Sequence, residues 1–230
     1  MSRQSKEEKQ EGVFDRRNIK DGAVELSGST YNLLVGLALS YGFLVNWLMV
    51  KYVPAASIVA NIGPIIFLLA YFGSCFLGVY LFNKSVNPAV SFLGYNLVVV
   101  PFGFIINIVV MRYDPALVVD AMKITGLVTA TMMILGTFFP DFFKRIAPAL
   151  TISLLLVIIW ELVDIFIFKK DHGITDWIVV FIFCGYVGYD WGRANQIPKT
   201  MDNAIDSAAA LYMDIINLFV RILRILGRKK

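Results

Sequence analysis

The chain has 230 residues, 58% of them hydrophobic, and a formal net charge of +4 at pH 7. A soluble domain of this length does not need so much apolar surface, whereas a helical bundle surrounded by lipid does. The basic residues lie mostly at the chain ends and in predicted loops, so the charge does not indicate a nucleic-acid partner. The cysteines Cys75 and Cys184 are too few for a disulfide framework, and the single His172 cannot form a metal site.

Residues 1–28 are polar and of mixed charge, which predicts a flexible cytoplasmic N-terminal tail. Residues 29–230 contain recurring apolar runs of about 20 residues, each long enough to cross the hydrocarbon core as a helix. We therefore predict a single transmembrane domain of seven helices. The predicted spans run from Tyr31 to Val50, Ser57 to Phe82, Pro88 to Met111, Ala121 to Phe139, Ala149 to Phe168, Trp177 to Trp191 and Asn203 to Leu226.

Proline and glycine mark the irregular points of these spans. Gly63-Pro64 predicts a break in the second span, and Pro101 predicts a kink in the third. The segments MRYDPALVVD and PDFFKRIAP are predicted loops before the fourth and fifth spans.

The distribution of lysine and arginine orients the first six spans with the N-terminus in the cytoplasm. The seventh span does not follow the same rule, because a crossing would carry the basic tail outside. This span either crosses with its charges partnered or forms a central re-entrant helix, and the sequence leaves both alternatives open.

Two acidic residues, Asp190 and Asp214, lie at membrane depth on the last two spans. An ionised carboxylate there costs roughly 2.5 to 3.5 kcal/mol, so such residues face the bundle interior and are candidates for a functional site. For Asp190 the alternative is an interfacial end cap beside Trp191. No loop is close to Asp214, so an end-cap role is a weaker explanation for this residue.

Helical spacing places a polar stripe on one side of the last span. The stripe comprises Asn203, Asp206, Ser207, Ala210, Asp214, Asn217, Arg221 and Arg224. A helix of this kind either lies on the membrane surface or lines a cavity inside the protein. The acid in mid-helix favours the cavity.

If Asp190 and Asp214 approach each other, they cannot both ionise cheaply, so we expect the pair to share a proton. Loss of that proton creates an oxygen site that suits a hard cation such as calcium. Glu161 and Asp164 share a face of the fifth span, where Glu161 either adds a carboxylate to the cavity, bonds to a neighbouring helix or pairs with a basic residue.

The stretch from Gly188 to Gly227 resembles the end of the Bax inhibitor-1 family, the transmembrane Bax-inhibitor-motif proteins. Tyr189-Asp190 matches the aromatic-Asp pair that ends the family's sixth helix, and LYMDIINLF from Leu211 to Phe219 matches its last helix. Arg224 matches a basic residue ten positions after the helix aspartate. NPAVSF and AMKITGLVTATMMILGTF are looser matches.

The resemblance implies an all-α polytopic membrane protein in which six helices surround a central C-terminal helix. It also implies a pH-sensitive calcium leak in a bacterial plasma membrane, with Asp190 and Asp214 as the pH sensor and the calcium-contacting carboxylates. Calcium is then the transported ion, no cofactor is tightly bound, and the partners are the bilayer, calcium and protons. We name as supporting residues Arg224, Arg221, Asn217, Glu161 and Asp164.

One family feature is missing, because bacterial relatives use charged residues on the second helix as partners of the last helix. The second span here carries no charge, so a latch to a second-helix arginine cannot form. Glu161 or Asp164 is our substitute partner for Arg224 or Arg221.

Two other functional classes were weighed. Intramembrane aspartyl proteases also use aspartates on successive helices, but their second aspartate belongs to a GxGD motif, which this chain lacks, so we predict that the protein is not an enzyme. The remaining alternative is a non-transporting regulator that binds other membrane proteins, such as proteases or cell-death factors. No residue of the chain identifies such a partner.

Overall fold

The computed structural model describes residues 24–164 and 173–228. Most of the predicted N-terminal tail, the end of the predicted fifth span after residue 164, and His172 lie outside these ranges. Within them the chain forms eight helices and no strand. The helices are α1 (Gly28–Tyr52), α2 (Ala55–Ile62), α3 (Pro64–Lys84), α4 (Pro88–Val110), α5 (Pro115–Phe138), α6 (Pro140–Val163), α7 (Ile174–Ala194) and α8 (Met201–Arg228).

The helix boundaries follow local side-chain chemistry. The Ser27 hydroxyl accepts a hydrogen bond from the Thr30 amide at 3.1 Å and caps α1. The second predicted span is divided into α2 and α3 at Gly63, whose φ of 91° favours glycine, and Pro64 opens α3. The predicted break is therefore confirmed, and it accounts for eight helices where seven spans were expected.

The prediction that PDFFKRIAP forms a loop is wrong, because these residues form the first turns of α6. Pro140 occupies the first turn, where its missing N–H costs nothing, and Pro148 lies inside the helix. Pro148 removes one backbone hydrogen bond from the helix. Packing of α6 against its neighbours outweighs this loss, as in the contact of Phe143 with Gly188 of α7. Similarly, α5 begins at Pro115 rather than Ala121, within the other predicted loop.

Five of the described helices are long and apolar enough to cross a membrane, namely α1, α3, α4, α5 and α6. Their outward side chains are large and apolar, as expected where lipid replaces water. The predicted all-α polytopic membrane fold is confirmed.

The described residues group into two compact units. The first contains residues 24–107 and 196–209, and the second contains residues 108–164, 173–195 and 210–228. In the first unit, the backbones of α3 and α4 meet at Gly78 and Gly94. A Cβ atom at Gly94 would lie 2.7 Å from the Gly78 carbonyl oxygen, so neither position has room for a larger side chain.

The last helix, α8, is the most enclosed element of the chain. Of its 28 residues, only Met201 and Arg228 are exposed. A helix lying on a membrane surface keeps one face in water, and burial on every side excludes that alternative for α8. At 1.5 Å per residue the helix is about 42 Å long, which exceeds the thickness of a hydrocarbon core.

Candidate functional site

The position of Asp190 on α7 is set by a close crossing with α5 in the second unit. A Cβ atom on Gly136 would collide with the Gly188 carbonyl oxygen, and one on Gly192 would lie 2.8 Å from the Gly136 carbonyl oxygen. The Phe143 ring of α6 covers Gly188 from another side. Asp190 stands between the two α7 glycines, so the backbone that carries it has little freedom to shift.

The structure brings Asp190 and Asp214 together, with their carboxyl groups within hydrogen-bonding range of each other. Asp214 is only 7% exposed, and Asp190 is partly buried. An ionised carboxylate has no donor, so a hydrogen bond between two carboxyl groups requires one proton on the pair. Among the described residues, Asp214 Oδ2 has no hydrogen-bond partner, which leaves it available to a further donor or cation.

Polar groups of α6 and α7 surround the pair. Tyr186 of α7 lies close enough to both aspartates to interact with them electrostatically, and its hydroxyl donates to Thr151 Oγ1 of α6 at 3.0 Å. Arg193 interacts electrostatically with Asp190 and donates a 2.6 Å hydrogen bond to the Tyr189 hydroxyl. The site therefore combines two adjacent carboxyl groups with a nearby cationic side chain.

Asp190 and Asp214 were also the predicted calcium ligands. Within residues 24–164 and 173–228, no three His, Cys, Asp or Glu side chains come together as a metal-binding group. Calcium takes six to eight oxygen ligands, so two carboxylates supply at most part of its coordination shell. Calcium contact at this pair stays a prediction.

A second ionic group, which we call the arginine clasp, joins the ends of α6, α7 and α8. It consists of Glu161, Asp176, Arg221, Arg224 and Arg228. Arg221 binds Glu161 through both guanidinium nitrogens and also reaches Asp176 Oδ1 at 2.8 Å. Arg224 lies 3.3 Å from Asp176 Oδ1, and Arg228 lies 2.8 Å from Asp176 Oδ2.

The other supporting residues that the sequence suggested have separate surroundings. Glu161 pairs with Arg221, as one of our alternatives proposed. Asp164 caps the end of α6 and is buried, at 4% exposed. Asn217 turns its side-chain amide to the Met213 carbonyl of its own helix, at 2.8 Å.

Sequence reasoning missed Asp176, the hub of the clasp. It stands in the first turn of α7 and is 0% exposed, whereas the sequence suggested a loop residue. One signal was available, because Arg221, Arg224 and Arg228 repeat at the spacing of one helix face and need buried acidic partners. Asp176 fits such a partner, because an acidic residue is favoured at the start of a helix.

The start of α8 carries its own polar contacts, within the first unit. The Tyr31 hydroxyl of α1 hydrogen-bonds Ser207 Oγ at 2.8 Å and donates to the Asn203 carbonyl at 3.2 Å. Ser91 of α4 donates to Asp202 Oδ1 at 2.7 Å. These bonds satisfy buried polar groups in the first turns of α8 with side chains from two earlier helices.

Comparison with known protein families gives a match that covers most of the chain. Residues 26–230 match the family model described as "Inhibitor of apoptosis-promoting Bax1". This match includes all eight helices that the structure describes.

Individual relatives are more distant. The chain is 34% identical to the "BI1-like protein" of Arabidopsis thaliana over 87 residues, which cover 36% of this chain and 33% of that protein. It is 34% identical to "Protein LIFEGUARD 1" of the same plant over 89 residues, 37% of each chain. The matched part thus spans about a third of these two relatives. A Helicobacter pylori protein of no assigned role is 24% identical over 229 residues, 94% of this chain and 96% of its own.

Proposed function

The chain belongs to the Bax inhibitor-1 family, and from this premise we propose that it is a calcium leak channel whose opening depends on the proton shared by Asp190 and Asp214. The observation that supports the proposal is the close approach of these two buried carboxyl groups. The sequence lacks the GxGD motif of intramembrane aspartyl proteases, so the proposed function is not enzymatic.

The shared proton supplies the gating energy. With the proton in place, the pair carries a single negative charge and holds α7 to α8 through one hydrogen bond. Without it, two negative charges repel each other, and for unit charges at a separation of about 4 Å the repulsion is about 4 kcal/mol at an effective dielectric constant of 20. That repulsion either separates the two helices or is relieved by a divalent cation, and both outcomes favour calcium entry.

A calcium leak also needs a polar route across the membrane, and the polar stripe of α8 is the candidate for its lining. Asp214 and Asn217 follow one another on the stripe of this buried helix. In hydrocarbon such residues are costly unless they line an internal pathway. A leak through the protein gives the stripe a function that a purely structural helix does not require.

The test is calcium flux into proteoliposomes that contain the purified full chain, across a series of pH values. We compare wild type with Asp190→Asn and Asp214→Asn, and use Asp120→Asn, an exposed acid on α5, as the matched control. Wild type and the control are expected to show a flux that changes with pH. In the two site variants the pH response is expected to be lost, because an amide cannot release the shared proton.

The outcomes separate the two halves of the proposal. Absence of wild-type flux at every pH, with the protein shown to be folded, overturns the calcium leak and favours the non-transporting regulator. A wild-type pH response that persists in both site variants leaves a leak but rejects the aspartate pair as its sensor.

A further inference from the structure

The C-terminal end of α8 presents three arginines to one buried carboxylate. Arg221, Arg224 and Arg228 lie at intervals of three and four residues, so they project from one side of the helix. All three reach Asp176, which is fully buried. A buried carboxylate depends on such partners, because an unpaired charge in the interior is strongly destabilising.

Two glycines allow the clasp to close. A Cβ atom on Gly173 would lie 2.6 Å from Arg228 Nη1, so the Arg228 side chain passes directly over this glycine on its way to Asp176. A Cβ atom on Gly227 would collide with the ring of Tyr113, which precedes α5. The end of α8 is therefore held by three separate parts of the second unit.

The clasp and the carboxyl pair act on the same two helices. Asp190 and Asp176 belong to α7, while Asp214 and Arg221 are about two turns apart on α8. Movement of α8 away from α7 thus requires both connections to loosen. Arginine keeps its charge at every physiological pH, so the clasp persists when the carboxyl pair loses its proton.

We infer that Asp176 is a positioning residue that fastens the end of α8 through the arginine clasp and thereby keeps the calcium leak low. The fastening is a property of the observed ion pairs. Its effect on the leak rests on the proposed function.

The decisive variant removes the hub without changing the net charge. Asp176→Asn combined with Arg228→Gln deletes one acid and one base, so the clasp keeps the formal charge of +1 that its three arginines and two acids give it. The matched control is Asp120→Asn with Lys123→Gln, an exposed ion pair of 3.4 Å on α5. Exposed pairs of this kind contribute little to stability.

The first measurement is hydrogen exchange of residues 215–228 in lipid nanodiscs. We expect exchange to accelerate on the order of tenfold or more in the clasp variant, because a buried charge network has been opened. The control is expected to match wild type. Exchange that is unchanged in the clasp variant overturns the fastening role of Asp176.

The second measurement is calcium flux in proteoliposomes. The clasp variant is expected to raise the flux at the pH where wild type leaks least, and to approach wild type at the pH where it leaks most. A variant that merely misfolds lowers flux at every pH. Faster exchange without this rise in flux overturns the gating role, and absence of wild-type flux overturns the proposed function while exchange alone decides the fastening.

Gly173→Ala is a second variant that alters no charge. It displaces the Arg228 guanidinium, and its backbone φ of −56° is one that alanine adopts freely. We expect the same two changes with smaller amplitude. Wild-type exchange in this variant as well as in the clasp variant would remove the support for the clasp.

Discussion

Glycine at a helix crossing sets how closely two backbones approach, and Gly136 shows this most directly. A side chain there would collide with the Gly188 carbonyl oxygen of α7. Gly126 lies on the same helix and has nothing within 4 Å of its Cβ position. Gly126 and Gly136 therefore differ in their tolerance for substitution although both lie on α5. The difference comes from their surroundings in the folded protein.

Gly136→Ala is expected to lower the free energy of unfolding by about 1 to 3 kcal/mol, because α5 and α7 must move apart to admit the methyl group. The matched Gly126→Ala variant is expected to be neutral or slightly stabilising, since alanine is the better helix former. Thermal unfolding of both proteins in the same detergent measures the difference. Equal stability of the two variants would contradict the close crossing.

At the scale of elements, α8 is held differently at its two ends. Hydrogen bonds from neutral side chains such as Tyr31 hold its start, whereas ion pairs of the arginine clasp hold its end. The two kinds of contact follow the distribution of charge along α8, because its basic residues are confined to its last turns. Each end therefore has its own type of partner.

Tyr31→Phe removes one hydroxyl that serves both Ser207 and the Asn203 carbonyl. Since Tyr31 is fully buried, we expect a loss of about 1 to 3 kcal/mol in the free energy of unfolding, the cost of leaving a buried partner unsatisfied. Tyr52→Phe, at a tyrosine that is 66% exposed, is the control. Denaturant titration in mixed micelles compares them, and indistinguishable midpoints would argue against the buried hydrogen bonds.

For the whole molecule, the sequence left open on which side of the membrane the basic C-terminal tail lies. α8 is continuous, and three arginines near its end contact acidic partners. Paired arginines are less costly to transfer than free ones, which weakens the objection to a crossing. We therefore expect α8 to cross.

With a cytoplasmic N-terminus, seven crossings place the C-terminus on the external side. A C-terminal alkaline phosphatase fusion in a bacterial host is then expected to be active, and a C-terminal green fluorescent protein fusion to be dark. Fusions at Lys199, in the segment before α8, serve as controls and are expected to give the reverse pattern. Cytoplasmic signals from both positions would indicate a re-entrant α8.

The features that hydropathy and helical periodicity encode could be predicted without the structure. These are the apolar spans, the break at Gly63-Pro64, and the polar stripe that singled out Asp214. Asp190 was found for the same reason, because a charge within an apolar run stands out without any knowledge of its neighbours.

Contacts between distant residues could not be predicted in this way. Asp176 and Arg221 are 45 residues apart, and Tyr31 and Ser207 are 176 apart, so no local pattern relates them. Packing also kept Pro148 inside a helix where its backbone preference predicted a loop. The physical reason is common to these cases: patterns within one segment record its exposure to lipid or protein, whereas a contact depends on how separate segments fold against each other.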